Sequence, residues 1–421
     1  MKVMVTGSGG REHAIIKKIA ESRNCEKIYA LPGNGGMKEA ETVPISAMDI
    51  PAQVEFAEKH GVDFVVVAAD DPLNAGAVDA FHKAGIKCFG PEKKAAIIEG
   101  SKIFAKNLMK KYGIPTAEFE TFDDIGKALS YVRENNAPIV VKADGLALGK
   151  GVTVAQTAEE AENAVISLMK NGKFGDSGKK IVIEECMTGP EVSVLSFTDG
   201  KTLKPMISSM DHKRAFDGDL GPNTGGMGAV APNPYYTKEI AARCMKEIFL
   251  PTIDAMNKEG RTFKGCLYFG LMLTKDGPKV VEYNCRFGDP ETQTVLPLLE
   301  SDLLDIMTAC EDGRLEETEV NFSDKYSCCV VKASNGYPVK YDKGYEIKQN
   351  GDIDGCLYFA GAKKTGSALL TDGGRVLGVT TVSDTLKKAV DKAYREIDKI
   401  HFDNEYFRHD IGRKALEAEV L

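Results

Sequence analysis

Short apolar segments alternate with an amphipathic helical pattern through the first hundred residues. Strands are predicted at residues 3–6, 27–31, 64–68 and 86–89, and a helix at residues 13–22. This alternation is typical of a parallel sheet with helices on both faces. We therefore expect a doubly wound α/β domain at residues 1–102.

The chain of 421 residues is too long for one ordinary core, and two to four domains are expected. After a predicted helix at residues 101–112, strands and helices surround a glycine-rich turn at residues 145–151, which indicates a small α+β unit. A glycine-rich loop is predicted at residues 216–227, and short strands followed by a helix at residues 383–400 form a third region. The expected domains are residues 1–102, 103–325 and 326–421.

The composition is that of a globular protein with a net charge of −8. No basic run stands out, which argues against a nucleic-acid surface. No apolar run reaches the roughly 18 residues of a membrane span, and glycines and charges interrupt the apolar start of the chain, so neither a membrane segment nor a signal peptide is expected. The ten cysteines include no CxxC pair, and we expect free thiols in a cytoplasmic protein.

A glycine-rich turn, Gly7-Ser8-Gly9-Gly10, follows the first predicted strand and precedes a helix. Backbone amides at such a turn can bind an anion, so Gly9 and Gly10 are candidate substrate-binding residues. Glu12 replaces the third glycine of a dinucleotide fingerprint, and the second strand has no acidic residue after it, which argues against nicotinamide binding. A purely structural turn remains the alternative.

A lysine on a strand, Lys142, is followed by a glycine-rich segment that contains Lys150 and Gly151. A lysine charge and flexible amides are what a triphosphate requires. The segment matches neither a Walker A loop nor a kinase glycine loop, and a hairpin turn with solvated lysines is the alternative. Glu184 and Glu185 end a later strand, where carboxylates can contact a nucleotide or can simply be solvated.

Polar residues follow an apolar strand at residues 280–291. Glu282 and Asn284 lie two apart, so they point to one face and offer the oxygen ligands that Mg²⁺ prefers. Arg286 reaches the same face if the strand continues, and could neutralise a transferring phosphoryl group. Another charged segment, residues 211–214, precedes dense glycines at residues 221–228 that indicate a backbone shaped around a ligand.

Together these residues resemble the ATP-grasp superfamily, and within it the glycinamide ribonucleotide synthetase family. The resemblance extends over essentially the whole chain and rests on segments that read GSGGREHA, LPGNGG, VVKADGLALGKGV, DHKRAFDGDLGPNTGGMGA, EYNCRFGDPETQ, NGYPVKYDKG and TDGGRVLGV. It implies an α/β and α+β multidomain protein. The N-terminal sheet domain would be followed by an ATP-grasp core with a mobile lid at about residues 118–190, and by a small C-terminal α+β domain.

The resemblance also implies a reaction and its site residues. ATP, glycine and 5-phosphoribosylamine would give glycinamide ribonucleotide, ADP and phosphate in purine biosynthesis, with Mg²⁺ (Mn²⁺ as a second option) as the metal. The family's nucleotide contacts fall on Lys102, Lys142, Glu184, Cys186 (through its backbone) and Glu191, and its magnesium ligands fall on Glu282 and Asn284. We further expect Lys150 and Gly151 to bind the nucleotide, Arg286 and Lys213 to act in catalysis, and Gly9, Gly10, Asp211, Asn223, Gly225 and Asp289 to bind substrate.

Two departures and one alternative accompany this resemblance. Ala68-Ala69-Asp70 stands where the family usually has a Gly-Pro-Glu sequence, and the strand at residues 265–273 has no acidic residue for a further metal contact. The alternative is another ATP-grasp enzyme, such as a biotin-carboxylase-like or purine carboxylase protein. The predicted partners are small molecules, with no nucleic acid or membrane, and a monomer is the default expectation.

Overall fold

Five parallel strands form the first sheet of this computed structural model, which describes residues 1–146, 151–170 and 175–419. The strand order is β3-β2-β1-β4-β5, and successive residues of β1 and β4 enter different apolar clusters on the two faces. Helices cover both faces, which confirms the doubly wound arrangement. The elements are β1 Lys2–Gly7, α1 Gly10–Ala20, β2 Lys27–Pro32, β3 Glu41–Thr42, α2 Ile50–His60, β4 Phe64–Val67, α3 Asp70–Ala75, α4 Ala77–Lys83, β5 Lys87–Phe89 and α5 Lys93–Gly100.

A helix and a small antiparallel sheet follow. The helix begins after Ser101, whose hydroxyl accepts the Phe104 amide, and ends at Gly113 in the left-handed conformation. The sheet has the order β6-β9-β7-β8, and two helices pack on one of its faces. We call this sheet the lid sheet. The elements are α6 Lys102–Tyr112, β6 Phe119–Phe122, α7 Ile125–Glu134, β7 Ile139–Ala143, β8 Val152–Ala155, α8 Ala158–Met169 and β9 Ile181–Glu185.

A second antiparallel sheet, which we call the core sheet, has the order β11-β10-β16-β17. The predicted 216–227 loop is wrong in part, because residues 214–223 form a hairpin of two short strands. After this hairpin and β15, a helical stretch runs from Lys238 to Lys258 and contains one π-helical segment, Met245–Phe249. The elements are β10 Glu191–Thr198, β11 Leu203–Pro205, β12 Met210–Asp211, β13 Arg214–Phe216, β14 Leu220–Asn223, β15 Gly228–Ala231, α9 Lys238–Cys244, α10 Leu250–Lys258, β16 Gly265–Thr274, β17 Gly277–Asn284, α11 Glu291–Val295 and α12 Leu303–Asp312.

The C-terminal sheet has the order β12-β15-β18-β23-β20, with β25 also paired to β18. Its strands β12 and β15 come from before the predicted boundary at residue 325, so the middle of the chain contributes to this sheet. The strands β18 and β23 have nine residues each, longer than the short strands expected. The elements are β18 Tyr326–Ser334, β19 Lys348–Gln349, β20 Cys356–Phe359, β21 Ala362–Thr365, β22 Ala368–Thr371, β23 Arg375–Ser383, α13 Leu386–Ile397, β24 Ile400–His401, β25 Glu405–Tyr406 and α14 Arg413–Ala418.

Two expectations from composition can be compared with the fold. All ten cysteines are free thiols, as predicted, and seven of them are buried. Over residues 1–146, 151–170 and 175–419, no helix combines the length and apolar character that crossing a bilayer requires.

Candidate active site

One large cleft, with a volume of about 1060 Å³, is bordered by α6, the lid sheet, the core sheet and the C-terminal sheet. It brings together residues predicted from segments that are far apart in the sequence. Those that line it are Lys102, Lys142, Gly151, Glu184, Cys186, Glu191, Asp211, Lys213, Asn223, Gly225, Glu282, Asn284, Arg286 and Asp289.

Two lysines on different elements meet at one side of this cleft. The Lys102 ammonium, at the start of α6, donates to the Gly145 carbonyl at 2.9 Å. The Lys142 ammonium, on β7, donates to the Val281 carbonyl at 3.2 Å and pairs with a Glu184 oxygen at 2.9 Å. Burial lowers the pKa of Lys102, although the Glu282 carboxylate opposes that effect. A polyanion in the cleft would compensate for the cost of burying these cations.

The register of the lid sheet explains which side chains face the cleft. Val140 is directly opposite Val154 on one side and Glu184 on the other, so these three residues share a face. The opposite face, which includes Val141 and Ile183, packs against α7 and α8 in an apolar cluster. The lid sheet therefore presents two valines beside a carboxylate to the cleft.

Glu282 and Asn284 end strand β17 and point to one face, as their spacing predicts. Burial alone would raise the pKa of Glu282, but the surrounding lysines, Lys213 first, hold it below its ordinary value. This carboxylate is therefore ionised. On the neighbouring strand its partner is Gly270, where a Cβ atom would lie 3.0 Å from the Glu282 Cγ. Strand β16 therefore leaves room for the Glu282 side chain at Gly270 and supplies no second acidic residue for a metal.

Arg286 lies beyond the end of β17, but its side chain still reaches the predicted face. Its guanidinium donates to the Asn284 amide oxygen at 3.0 Å and pairs with Glu99 at 3.0 Å. Burial opposes the charge, while the Glu99 and Asp70 carboxylates raise the pKa of Arg286, which stays protonated. Its Nε is buried and has no hydrogen-bond partner among the described residues.

Lys213 connects two carboxylates across the cleft. Its ammonium lies 3.0 Å from a Glu191 oxygen and 3.8 Å from a Glu282 oxygen. The Glu191 carboxylate is the main reason that the pKa of Lys213 is raised well above its ordinary value. The predicted nucleotide contact Glu191 and the predicted catalytic Lys213 are therefore partners of each other in this structure.

The C-terminal sheet contributes Arg375 to the same cleft. Its guanidinium donates to the Asp289 carboxylate at 2.7 Å, and also to the backbone carbonyls of Gly225 and Asp289, both at 2.8 Å. The Gly225 amide in turn donates to the Tyr337 hydroxyl at 3.0 Å. Arg375 and Tyr337, both from the C-terminal sheet region, thus fix the glycine turn that follows Asn223.

Asp211 supplies an acceptor without a partner. Its Oδ1 atom is buried, and no donor among the described residues bonds to it. Burial raises the pKa of Asp211 well above its ordinary value, and the nearby Glu291 carboxylate adds to that effect. The cleft therefore holds both an unpaired acceptor, at Asp211, and an unpaired donor, at Arg286.

Comparisons with known proteins find related sequences over most of the chain. The chain matches the N domain of phosphoribosylglycinamide synthetase over residues 1–99, its ATP-grasp (A) domain over residues 100–292, and its C domain over residues 327–414. The chain belongs to the phosphoribosylglycinamide synthetase family. Curated relatives named phosphoribosylamine–glycine ligase agree. The protein of Caldanaerobacter subterraneus subsp. tengcongensis is 46% identical over 98% of this chain and 99% of its own, and that of Streptococcus pneumoniae is 46% identical over 99% and 100%.

Two solved structures have folds similar to that of this chain. The phosphoribosylamine–glycine ligase of Thermotoga maritima has a TM-score of 0.86 at 33% identity and covers 98% of this chain and 100% of its own. The biotin carboxylase domain of Hydrogenobacter thermophilus 2-oxoglutarate carboxylase has a TM-score of 0.75 at 15% identity, with 96% and 91% covered. The second likeness shows a shared fold alone. The family match therefore favours the synthetase over the carboxylase alternative.

One argument made from the sequence does not hold in this member of the family. The Gly9 amide, predicted to be available for an anion, donates to the Glu12 carboxylate at 2.6 Å. Glu12 is buried and its carboxylate also accepts the Arg11 side chain at 2.7 Å, so the Gly9 amide is satisfied within the turn. Neither Gly9 nor Gly10 is among the residues that line the cleft. Glu12, which stands in place of the third glycine of the dinucleotide fingerprint, caps the turn with its own side chain.

Some predicted residues lie outside the described residues, and some lining residues were not predicted. Lys150 falls within the segment 147–150, which the described ranges omit, whereas Gly151 lines the cleft. Sequence reasoning missed Arg375, Tyr337 and Glu291, although each lies inside a segment that carries the family resemblance. It also missed Glu99 and Lys106, for which no motif gave a signal.

The hairpin of β13 and β14, between Lys213 and Thr224, is held by the C-terminal end of the chain. The Arg408 guanidinium, almost fully buried, pairs with Asp219 at 3.0 Å and donates to the Arg214 carbonyl at 3.1 Å. The Asp410 carboxylate accepts the Gly218 amide at 2.8 Å. The family's C domain thereby supports the hairpin that positions Lys213 and Asn223.

Proposed function

We propose that this protein is an ATP- and magnesium-dependent ligase that joins glycine to 5-phosphoribosylamine, with glycinamide ribonucleotide, ADP and phosphate as products. The observation that carries the proposal is one cleft in which Lys102, Lys142 and Lys213 surround the ionised Glu282. This constellation lies in a chain that matches all three synthetase domains. It supplies the charges that phosphoryl transfer from ATP requires.

The chemistry needs activation because a carboxylate is a poor acyl donor. A glycine carboxylate oxygen attacks the γ-phosphorus of ATP, ADP leaves, and glycyl phosphate forms. The amine of 5-phosphoribosylamine then attacks the acyl carbon, phosphate leaves, and the nitrogen loses a proton. Positioning and charge neutralisation supply the catalysis, and no protein nucleophile is needed.

The lysines and the arginine take the electrostatic part of this reaction. Lys102 and Lys142 bind the phosphates, and Arg286 offers its free Nε to the oxygens that gain charge during transfer. Lys213, charged because of Glu191, stands between the phosphate side and the Asp211 side of the cleft. The Asp211 carboxyl group, which has an unpaired oxygen, binds the amino-acid side of the reaction.

The metal site proposed from the sequence fits the residues present. Glu282 offers an ionised carboxylate and Asn284 an amide oxygen, both hard ligands of the kind that Mg²⁺ takes together with substrate phosphates. Among the described residues no group of three or more acids, histidines or cysteines forms a closed metal cage. When bound, Mg²⁺ neutralises phosphate charge; Mn²⁺ as a substitute, a cytoplasmic location and a monomeric state stay predictions.

We also propose contacts for the nucleotide and for the substrates. Glu184 and the backbone of Cys186 hold the base, Glu191 holds the ribose, and Lys150 with Gly151 covers the phosphates. Asn223, Gly225 and Asp289 bind substrate beside Arg375. Gly9 and Gly10 stay predicted substrate contacts, although the Gly9 amide already donates to Glu12. The predicted domain boundaries, at residues 102 and 325, likewise stay predictions.

One assay tests the proposal against the carboxylase alternative. Phosphate release from ATP is measured with glycine, with 5-phosphoribosylamine generated in situ, with both, and with bicarbonate. We expect release only when glycine and 5-phosphoribosylamine are both present. Bicarbonate-dependent release, or release that does not require the amine, would contradict the ligase.

A further inference from the structure

A buried lysine that no motif identified lies beside the nucleotide side of the cleft. Lys106, on α6, is 3% exposed. Its ammonium lies 3.3 Å from a Glu184 oxygen, donates to the Thr116 hydroxyl at 2.7 Å, and stands 5.4 Å from the centre of the Phe119 ring. A lysine is almost never buried this deeply without a partner that compensates for the free energy of losing its hydration.

Its partner Glu184 is held in an unusual way. Both Lys106 and Lys142 approach the same carboxylate oxygen, Oε2, at 3.3 and 2.9 Å. The other oxygen, Oε1, is buried and has no hydrogen-bond partner among the described residues, although Glu184 is only 3% exposed. Buried carboxylate oxygens without a donor are costly, so this oxygen is suited to a donor from a ligand in the cleft.

The surroundings of that oxygen indicate the kind of ligand group. Val140 and Val154 share the cleft face of the lid sheet with Glu184, and all three line the cleft. Apolar side chains beside one fixed acceptor suit a flat aromatic base that carries an exocyclic amine. A base with a carbonyl oxygen at the same position would place two acceptors against each other.

Lys106 also connects the lid sheet to the rest of the molecule. Thr116, which accepts its hydrogen bond, donates to the Val280 carbonyl at 2.7 Å on β17. The ammonium therefore joins α6, the chain that enters the lid sheet, and the strand that carries Glu282. Burial lowers the pKa of Lys106 to about 8, so its charge is maintained at a cost that a merely solvated lysine would not have.

We infer that Lys106 is a positioning residue for the nucleotide base: together with Lys142 it fixes Glu184 so that the free Oε1 oxygen selects a 6-amino purine. This inference rests on the proposed use of ATP and assigns a selectivity role to a residue outside the predicted contacts. Without Lys106, Glu184 has a single cation and can turn toward Lys142, which removes the fixed acceptor.

The test compares Lys106→Met with Lys110→Met. Lys110 is exposed, lies one turn further along α6, and stands over the same Phe119 ring at 5.5 Å, so it is a matched control. Calorimetric titrations with Mg·ATP and with Mg·ITP, whose base has a 6-oxo group, measure binding without glycine or 5-phosphoribosylamine. Failure of the ligase proposal and failure of this inference are therefore distinguishable.

We expect Lys106→Met to weaken ATP binding by at least about tenfold, the range for a charge-assisted contact, and ITP binding much less. The ATP-to-ITP preference therefore falls in this variant and stays at the wild-type value in Lys110→Met. An unchanged preference in a folded Lys106→Met protein would overturn the inference, because a structural role alone would weaken both nucleotides equally.

A second variant keeps the inference testable if Lys106→Met does not fold. Thr116→Val has nearly the same shape and removes the hydrogen bond that orients Lys106, together with the one to the Val280 carbonyl, without removing the Lys106 charge. We expect the same change of preference in a smaller degree, of about two- to fivefold, because the Lys106 charge stays beside Glu184. A wild-type preference in Thr116→Val, together with a non-folding Lys106→Met, would assign Lys106 to stability alone.

Discussion

Arg375 and Asp289 form an ion pair, with 2.7 Å between the guanidinium nitrogen and the carboxylate oxygen, that joins the C-terminal sheet to the segment after β17. Arg375 also donates to backbone carbonyls of the glycine turn and of Asp289, and both charged side chains are largely buried. An arginine that binds a carboxylate and several carbonyls at once fixes geometry that a lysine cannot reproduce. The pair therefore determines how the C-terminal sheet closes the substrate side of the cleft.

The first prediction concerns this pair. Arg375→Met leaves Asp289 with its charge and without its main partner, so we expect unfolding by urea to become easier by about 2–4 kcal/mol and kcat/KM to fall by at least about tenfold. Asp289→Asn in the same background removes the unpaired charge and should restore part of the stability but little of the activity. With Asp289→Asn alone measured as well, a loss of stability in the double variant equal to the sum of the two single losses would show that the pair is not coupled.

The second prediction concerns Glu282. Glu282→Gln keeps the shape of the side chain and removes the charge, so we expect the fold to survive and turnover to fall by about two orders of magnitude or more. The magnesium concentration for half-maximal activity should rise in the same variant. Asp276→Asn, at the exposed turn that joins the same two strands, is the control and should behave like the wild type. Near-full activity of Glu282→Gln at ordinary magnesium would contradict the metal assignment.

The third prediction concerns the glycine turn at the start of α1. A Cβ atom on Gly9 would lie 2.7 Å from the Glu12 Oε2 atom, while the Gly9 backbone angle, φ −83°, is ordinary. Gly9→Ala should therefore lower the free energy of unfolding by about 1–3 kcal/mol, through overpacking, with all three Michaelis constants nearly unchanged.

A double-mutant cycle with Glu12→Ala completes this test. Because Glu12→Ala removes the atom that the new methyl group would meet, the combined loss of stability should be smaller than the sum of the single losses. A selective rise of the Michaelis constant for 5-phosphoribosylamine in Gly9→Ala, without a loss of stability, would restore the anion-binding interpretation of the turn.

Much of this arrangement could be predicted from the sequence because it depends on local patterns. The alternation of strands and helices before residue 100 determines the first sheet, and a spacing of two places Glu282 and Asn284 on one face. The hairpin at residues 214–223 was not predicted, since it has no alternating apolar pattern. The C-terminal residues around Arg408 hold it in place, and a local reading of the sequence cannot show them.

The roles of residues in and near the cleft were harder to predict where a residue acts through a partner that is distant in the sequence. Glu12 served as an argument against a dinucleotide, but its carboxylate also accepts the Gly9 amide, which the sequence analysis did not predict. Lys106 has no motif and is significant only because α6 packs under Glu184 of the lid sheet. Arg375 likewise gains its meaning from Asp289, which lies 86 residues earlier in the chain.

The last prediction concerns the pH dependence of stability and His212, which is buried next to the 214–223 hairpin. Its Nδ1 lies 3.2 Å from the Gly228 carbonyl and its Nε2 accepts the Gly412 amide at 3.1 Å, so the neutral ring satisfies both partners. Burial, with help from the Arg408 charge, lowers the pKa of His212 to about 4 from an ordinary 6.5. Protonation would oblige Nε2 to donate where it now accepts.

Because this pKa is lower in the folded protein, the unfolded chain takes up the proton first as the pH falls. The stabilisation is therefore complete above pH 6.5 and is lost progressively between pH 6.5 and about 4, by a total of about 3 kcal/mol. His212→Gln can keep both hydrogen bonds without titrating. We expect the difference in unfolding free energy between wild type and variant to be constant above pH 7.5 and to shift toward the variant by most of that amount at pH 4.5.

Urea unfolding of both proteins at a series of pH values measures this difference, in which the contributions of the other titrating groups cancel. Parallel pH profiles for the two proteins would mean that His212 titrates in the folded protein at its ordinary pKa, which the Gly412 contact opposes.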